Sequence, residues 1–452
     1  MTSSILEPEF MEQTLAGAAG KLLGAGPLLN DSPAWLQALR SSAWQRFEAL
    51  PMPQRTDETW RFSNVRGLDL SAYCAPQPLA AEAGDDLVAR SRGLDQVSGR
   101  MVFGNDQLLS QEAFSGQLRE KGVLWLPLEE AFEQHPDLVR KHFMREDAIL
   151  GSQKFAALHQ SQVRAGTFLY VPRGVELSLP LETFHWMTGQ AGACFPHTLI
   201  VAEERSKVTL VDYLQSADPA SEGFASGVSD LWLEAGAQVT YVCVQDWSAK
   251  ARSFQVNSTV VGRDARAVAL SLQLGSAAVR SESVSHLRGE GGRSEMLSLA
   301  LTLGRQELDQ RTFQIHEVPH TSSDLLYKVA LDDVSRSVFS GVIRVNPGAH
   351  QTDAYQKVRN LLLSDEAEAN SAPGLEIEAD DVRCTHGATT GQIDEEELFY
   401  LLSRGIPKKE AQKLFVDGFL QEVIARLGHD ALGESLREKV HAKCGANHHW
   451  AE

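Results

Sequence analysis

The segment of this 452-residue chain best equipped for chemistry is Asp380-Asp381-Val382-Arg383-Cys384-Thr385-His386-Gly387-Ala388-Thr389. If it is a β-strand, Cys384 and His386 are two residues apart and share one face, with Cα atoms roughly 6.6 Å apart. A thiolate and an imidazole so placed make half of a metal site, because iron–sulfur clusters usually take four ligands, mostly cysteine. The other ligands would have to come from another chain. The plainer reading is a small buried thiol beside a hydrogen-bonded histidine, and spacing alone favours it.

Other candidate groups are less specific. His441, Cys444, His448 and His449 resemble a metal cluster, but they fall in a C-terminal HAKCGANHHWAE that reads as a frayed, solvated tail. His316-Glu317-Val318-Pro319-His320 lacks the HExxH spacing that sets two histidines on one helix face, so a turn with hydrogen-bonded histidines is expected. Asp332-Asp333 and Asp380-Asp381 could suggest glycosidase carboxylates, yet they read better as polar corners. No Walker A lysine motif, GxSxG or GxGxxG is present, which leaves nucleotide hydrolysis and serine-esterase chemistry without motif support.

Composition narrows the classes further. The chain has 42 Lys and Arg against 60 Asp and Glu, a formal charge of −18, which argues against a nucleic-acid backbone binder. At 43% hydrophobic residues it has ample material for a core. The five cysteines, Cys74, Cys194, Cys243, Cys384 and Cys444, include no CxxC pair and suit thiols in a reducing compartment. Lys21 interrupts the apolar stretch from Leu15 to Leu29, so no membrane span is expected. The acidic SILEPEFME start lacks the basic region of a signal peptide, and a cytoplasmic protein is expected.

The elements that must position Cys384 and His386 are predicted from periodicity. Residues 1–160 are expected to be a helix-rich N-terminal domain, with a helix over 33–50, a loop over 80–93, a short strand from Met101 and an amphipathic helix over 128–143. Residues 161–390 read as all-β, with short β-branched runs cut by Gly, Asp, Asn and Pro. Strands starting near Val208, Val239, Val268 and Met296 follow acidic or glycine turns at intervals of 31, 29 and 28 residues. Such a period predicts a parallel β-helix, a solenoid whose coils bury their apolar faces against their neighbours; a sandwich or jelly roll is the alternative. Residues 391–452 are expected to be helical, with Asp394 and Glu397 forming a capping box and Pro407 opening a second helix.

At this point the chain resembles a known family. The runs SRSVFSGVIRV, TDAYQKVRNLLLS, PGLEIEADDVRCTHGATTG and DEEELFYLLSRGI between residues 335 and 406 are similar to the SufB/SufD family of iron–sulfur cluster assembly proteins. GTFLYVPRGV, HEVPHTSSDLLYK and ETWRFSNVRGLDL extend the likeness toward the N-terminus. Gly387 after the histidine, where the SufB branch usually carries Glu, and the lack of a cysteine-rich motif point to the SufD branch.

The resemblance implies a parallel β-helix flanked by helical domains and a non-catalytic scaffold that joins SufB and the ATPase SufC, to which ATP hydrolysis belongs. It implies that His386, with Cys384 beside it, contributes to cluster building at a SufB–SufD interface. No cofactor is expected to stay on the isolated chain; a transient iron–sulfur cluster and a reduced flavin belong to the complex. Sulfur would arrive through SufB from a cysteine desulfurase system. The C-terminal helices, through Phe399, Leu414, Phe415 and Phe419, would dock SufC, and their removal is expected to leave the β core folded. Two other readings stand: a SufB-like homodimeric scaffold working without a paralogue, and a secreted carbohydrate-active β-helix enzyme. No nucleic-acid or membrane partner is expected.

Overall fold

A computed structural model describes residues 21–446, except 25, 29–31, 64, 66–67 and 114–116. The core is a flattened parallel β-helix in which each coil contributes one strand to each of two ten-stranded sheets. The first sheet runs from the hairpin Gly99–Gly104 and Gln107–Ala113 to its last strand, Arg383–Gln392. The second runs from Leu124–Pro127 to Glu368–Ile377. The solenoid expectation therefore holds, although the coils are less regular than the sequence suggests. Val239 pairs with Val208, but Val268 pairs with Thr240 and Met296 with Ala269, so the second and third intervals are 28 and 27 residues.

In-register stacking explains the composition of the strands. Side chains alternate across each strand, so every second residue enters the interior and lies over its counterpart in the coil below. Leu210, Tyr241, Met296 and Leu325 illustrate this on the first sheet. The early interior is mainly apolar. Later coils carry polar pairs, such as Gln310 Nε2 donating to Ser298 Oγ at 2.6 Å and Asn360 Nδ2 donating to Thr390 Oγ1 at 3.1 Å. The coil corners are tight. A Cβ at Gly289 would overlap the backbone nitrogen of Arg263 in the preceding corner. Asp333 and Asp381 occupy such corners with φ of 54° and 53°, as polar turn residues should.

Both outer faces of the solenoid are covered. On the second sheet, helix Gln153–Gln162 places Phe155 in a stack on Phe254, ring centroids 3.7 Å apart. On the first sheet lie two of three C-terminal helices, Glu395–Ser403, Lys408–Ala425 and Asp430–Ala446. The second contributes Val416, Leu420 and Val423, and the third Leu432, Leu436 and Val440, to one buried cluster with Leu297, Leu299 and Leu326 of the solenoid. Charge pins this contact. The nearly buried Lys328 ammonium donates to the Phe419 carbonyl and to Glu422 Oε2, both at 2.6 Å, and Lys357 meets Glu422 at 3.1 Å. Arg426 reaches Asp324 at 2.7 Å.

Several local expectations are corrected. Residues 80–93 are not a loop: Ala81–Arg90 is a helix, because Leu87 and Val88 pack an otherwise alanine-rich, acidic segment onto Val102, Leu109 and Trp186. The single helix over 128–143 is two, Leu128–Gln134 and Pro136–His142, since Pro136 has no N–H to continue the first and instead opens the second. The tail is not frayed as far as residue 446, because Cys444 is buried in the third C-terminal helix. The C-terminal helices cannot all be removed cleanly, since the second and third cover the first sheet's apolar outer face.

Two outcomes follow. Gly289→Ala should destabilise the chain by about 1–3 kcal/mol, the usual cost of overpacking, read from its urea midpoint. The bond to Lys328, then the other contacts, hold the Glu422 carboxyl at about 2, below its ordinary value near 4.3, whereas burial pushes the Lys328 ammonium down. The Glu422 contribution is therefore present above pH of about 4.3 and lost as pH falls toward 2. Glu422→Gln should speed amide exchange in 408–425 at pH 7, with the difference from wild type shrinking below pH of about 4.

Candidate functional site

The last strand of the first sheet, Arg383–Gln392, carries the Cys-x-His pair. It pairs in parallel register with Asp353–Leu362, placing Cys384 beside Ala354 and His386 beside Gln356. Ala354 is 1% and Gln356 0% exposed, so this face is the solenoid interior. The strand is nevertheless at the end of its sheet, and among the described residues no further coil lies over it. Cys384 is half-buried and His386 exposed for that reason alone.

The second sheet ends at the same place. Glu368–Ile377 pairs on one side with Arg336–Val345 and has an open edge on the other. Its Ile377, which continues the buried column of Val345, is 43% exposed. The end of the solenoid is thus two adjacent ten-residue strand edges with an interior open between them.

The two candidate ligands differ in burial. Cys384 packs beside Ile343, Val345, Ala349 and Ala354. Burial pushes its thiol above the ordinary range, the Asp353 carboxylate pushes it further, and a backbone hydrogen bond involving Ala354 offsets this in part. A protonated thiol is a poor ligand until something displaces its proton. His386 lies on the same inward face but is exposed at the open end. Beneath it, Gln356 donates through Nε2 to the Gly341 carbonyl at 3.3 Å, while its Oε1 has no hydrogen-bond partner. Gly387 faces the other way, beside Lys357, and a Cβ there would meet nothing within 4 Å. Among the described residues nothing crowds a side chain at 387.

Among the described residues no group of three or more His, Cys, Asp or Glu is arranged to hold a metal ion. The tail set in particular is dispersed. His441 bonds Asp417 at 2.7 Å, Cys444 is buried, and His448 and His449 lie outside the described residues. His316 is a buried, hydrogen-bonded histidine as expected, with ring nitrogens 2.7 Å from Thr321 Oγ1 and 2.9 Å from Ser323 Oγ. Burial holds it down at about 4.

The four docking candidates separate into two kinds. Phe399 is 71% and Leu414 52% exposed, whereas Phe415 is half-buried. Phe419 is also half-buried, packs onto the solenoid cluster and lies 4.7 Å beneath the Lys328 ammonium. The first C-terminal helix, Glu395–Ser403, has no buried residue, and Tyr400 and Leu402 are exposed beside Phe399. Those two were missed by sequence reasoning. The signal was a helix with apolar residues at 398–402 and no polar face between them.

With the geometry established, the chain can be set beside known proteins. A model described as the SUF system FeS cluster assembly, SufBD core domain matches residues 185–419. The chain belongs to the SufBD family of iron–sulfur cluster assembly proteins. A second model, the SufBD protein N-terminal region, matches residues 26–183. Among relatives, the iron–sulfur cluster assembly protein SufD of Bacillus subtilis (strain 168) is 31% identical over 425 residues, covering 92% of this chain and 95% of its own. An iron–sulfur cluster assembly SufBD family protein of Staphylococcus epidermidis is 25% identical over 403 residues, covering 87% and 86%. Within the SufBD family, this chain is similar to the SufD type.

The thiol chemistry can be checked directly. Cys384 should alkylate slowly at pH 7–8, with a midpoint above the ordinary cysteine value of about 8.5, by mass spectrometry of iodoacetamide-treated protein. Asp353→Asn should move that midpoint down.

Proposed function

We propose that this chain is the SufD-type scaffold subunit of a SUF complex, pairing at its open solenoid end with SufB and through its C-terminal helices with the ATPase SufC. The observation that carries the reading is the unfinished last coil. Among the described residues, two ten-residue strands end their sheets with one edge each not joined to a further strand, beside an interior with no further coil over it. A chain of the same coil architecture would continue both sheets. It would also bring its own thiolates to Cys384 and His386, which supply too few ligands alone. Gly387 suits the same approach, because the space beside it is empty.

In this reading the cluster is the product assembled, not a resident group. Sulfur reaches it through SufB from a cysteine desulfurase system, a reduced flavin works with the complex, and ATP is hydrolysed by SufC. An imidazole is a good ligand for iron, and His386 presents one at the exposed end of the solenoid. The exposed Phe399, Tyr400 and Leu414 form the apolar surface that SufC would cover.

Reconstitution of the three-protein complex tests both contacts. His386→Ala should leave the fold and SufC binding unchanged and lower cluster absorbance by roughly tenfold or more, the scale of lost metal-site interactions. Cys384→Ser should cost less, because its thiol starts protonated. Phe399→Asp with Leu414→Asp should weaken SufC binding by roughly a hundredfold. Normal cluster yield with His386→Ala would defeat the metal-site reading. Undiminished SufC binding would remove these helices as the dock. Stable self-association through the open end, without SufB, would favour the homodimeric scaffold instead.

A further inference from the structure

On the outside of the solenoid, a cavity of about 280 Å³ lies between the outer face of the second sheet and the segment carrying Arg55, Trp60 and Phe62. Its floor is set by register. Phe254, Arg280, Asp309 and Val338 form one column across four strands, and Arg252, Ala278, Glu307 and Arg336 form the next outward-facing column. The small Ala278 between longer neighbours leaves the floor hollow.

The charges lining this hollow are unequally satisfied. Arg280 is fully engaged: it pairs with Asp309 and Glu282 and donates to the carbonyls of Thr59 and Leu150 at 2.8 Å. Arg336 pairs with Glu368 at 3.4 Å. Arg252 is half-buried, yet among the described residues no carboxylate lies within ion-pair distance of it or of Arg55. A partly desolvated guanidinium without a counter-charge is a cost that an incoming anion would relieve.

The wall adds a second, independent observation. Phe62 is 50% exposed and held at φ 71°, a left-handed conformation that bulky side chains rarely adopt. Strain of this kind persists where the surroundings enforce it and gathers at binding sites. Here it presents an aromatic ring at a cavity that Trp60 and Phe254 also line.

We infer that this cavity binds a small planar aromatic anion, a one- or two-ring body bearing a carboxylate or sulfonate. The volume lies just below the roughly 300–1,000 Å³ range of ligand pockets, which keeps the ligand small. Phe254, Val338 and the aromatic wall receive the ring, and Arg252 receives the anionic group. The inference is independent of cluster chemistry, although Glu368 and Asn370 of the last strand of the second sheet also line the cavity.

The test uses the full-length chain and naphthalene-2-sulfonate, followed by isothermal titration calorimetry, with neutral naphthalene-2-sulfonamide as its uncharged counterpart. Wild type should bind the sulfonate at a single saturable site. Arg252→Gln should weaken the sulfonate by at least roughly tenfold, the loss expected for a charged hydrogen bond, and leave the neutral probe unchanged. Ala278→Trp should fill the floor and abolish both. Thermal melts check that the variants fold, and Arg252→Gln decides the question alone if Ala278→Trp does not. Unsaturable binding to wild type, or sulfonate affinity in Arg252→Gln equal to wild type, would overturn the site.

Discussion

Parallel in-register stacking is the constraint on which the rest of this structure depends. Once each strand lies directly over its counterpart one coil earlier, every inward side chain must match the residue above and below it. Coils in the middle of the stack meet that requirement twice. The last coil meets it once. Cys384, His386 and Ile377 therefore continue columns that are fully buried one layer down, yet they are themselves accessible. A functional group at the end of a solenoid needs no special loop to expose it, because ending the repeat is enough.

The outer faces obey a different rule. A parallel sheet is apolar on both sides and needs cover on each. Here N-terminal helices cover the second sheet, and the first is covered by the helix Ala81–Arg90 at one end and by C-terminal helices along the rest. The cover of the second sheet and the C-terminal cover of the first are each located by a buried cation whose partners belong to different elements. Arg280 ties the strand Ala278–Leu287 to Thr59 and Leu150, with its guanidinium 4.0 Å from the Trp60 ring. Lys328 ties its strand to the Phe419 carbonyl and Glu422 of the second C-terminal helix. Such pairs contribute little net stability, but removing one partner strands a buried charge, which makes the docking geometry specific.

This division separates what is rigidly placed from what is presented. The second and third C-terminal helices belong to the solenoid's own core. The first helix, with no buried residue, does not, and its apolar residues remain on the surface. Of the apolar residues on these helices, Phe419 is consumed by the fold while Phe399 and Leu414 are left over.

Much of this was legible in the amino-acid order alone. The short β-branched runs and polar corners spaced by nearly thirty residues favoured a solenoid over a sandwich, and the Cys-x-His alternation placed both side chains on one face once the segment is a strand. Those are local, periodic properties, and a strand's two-residue repeat carries them without reference to the rest of the chain. Which face they share, and that it lies open, were decided only when the coils stacked, because burial depends on the neighbouring coil. The same holds for the helix at 81–90, whose Leu87 gained meaning from the hairpin it covers, and for Cys444, read as a tail until the solenoid supplied a surface for its helix. The cavity beside Arg252 is the extreme case. Its residues come from strands and a segment spread over 55–370, and no spacing along the chain could have announced a contact that only tertiary packing creates.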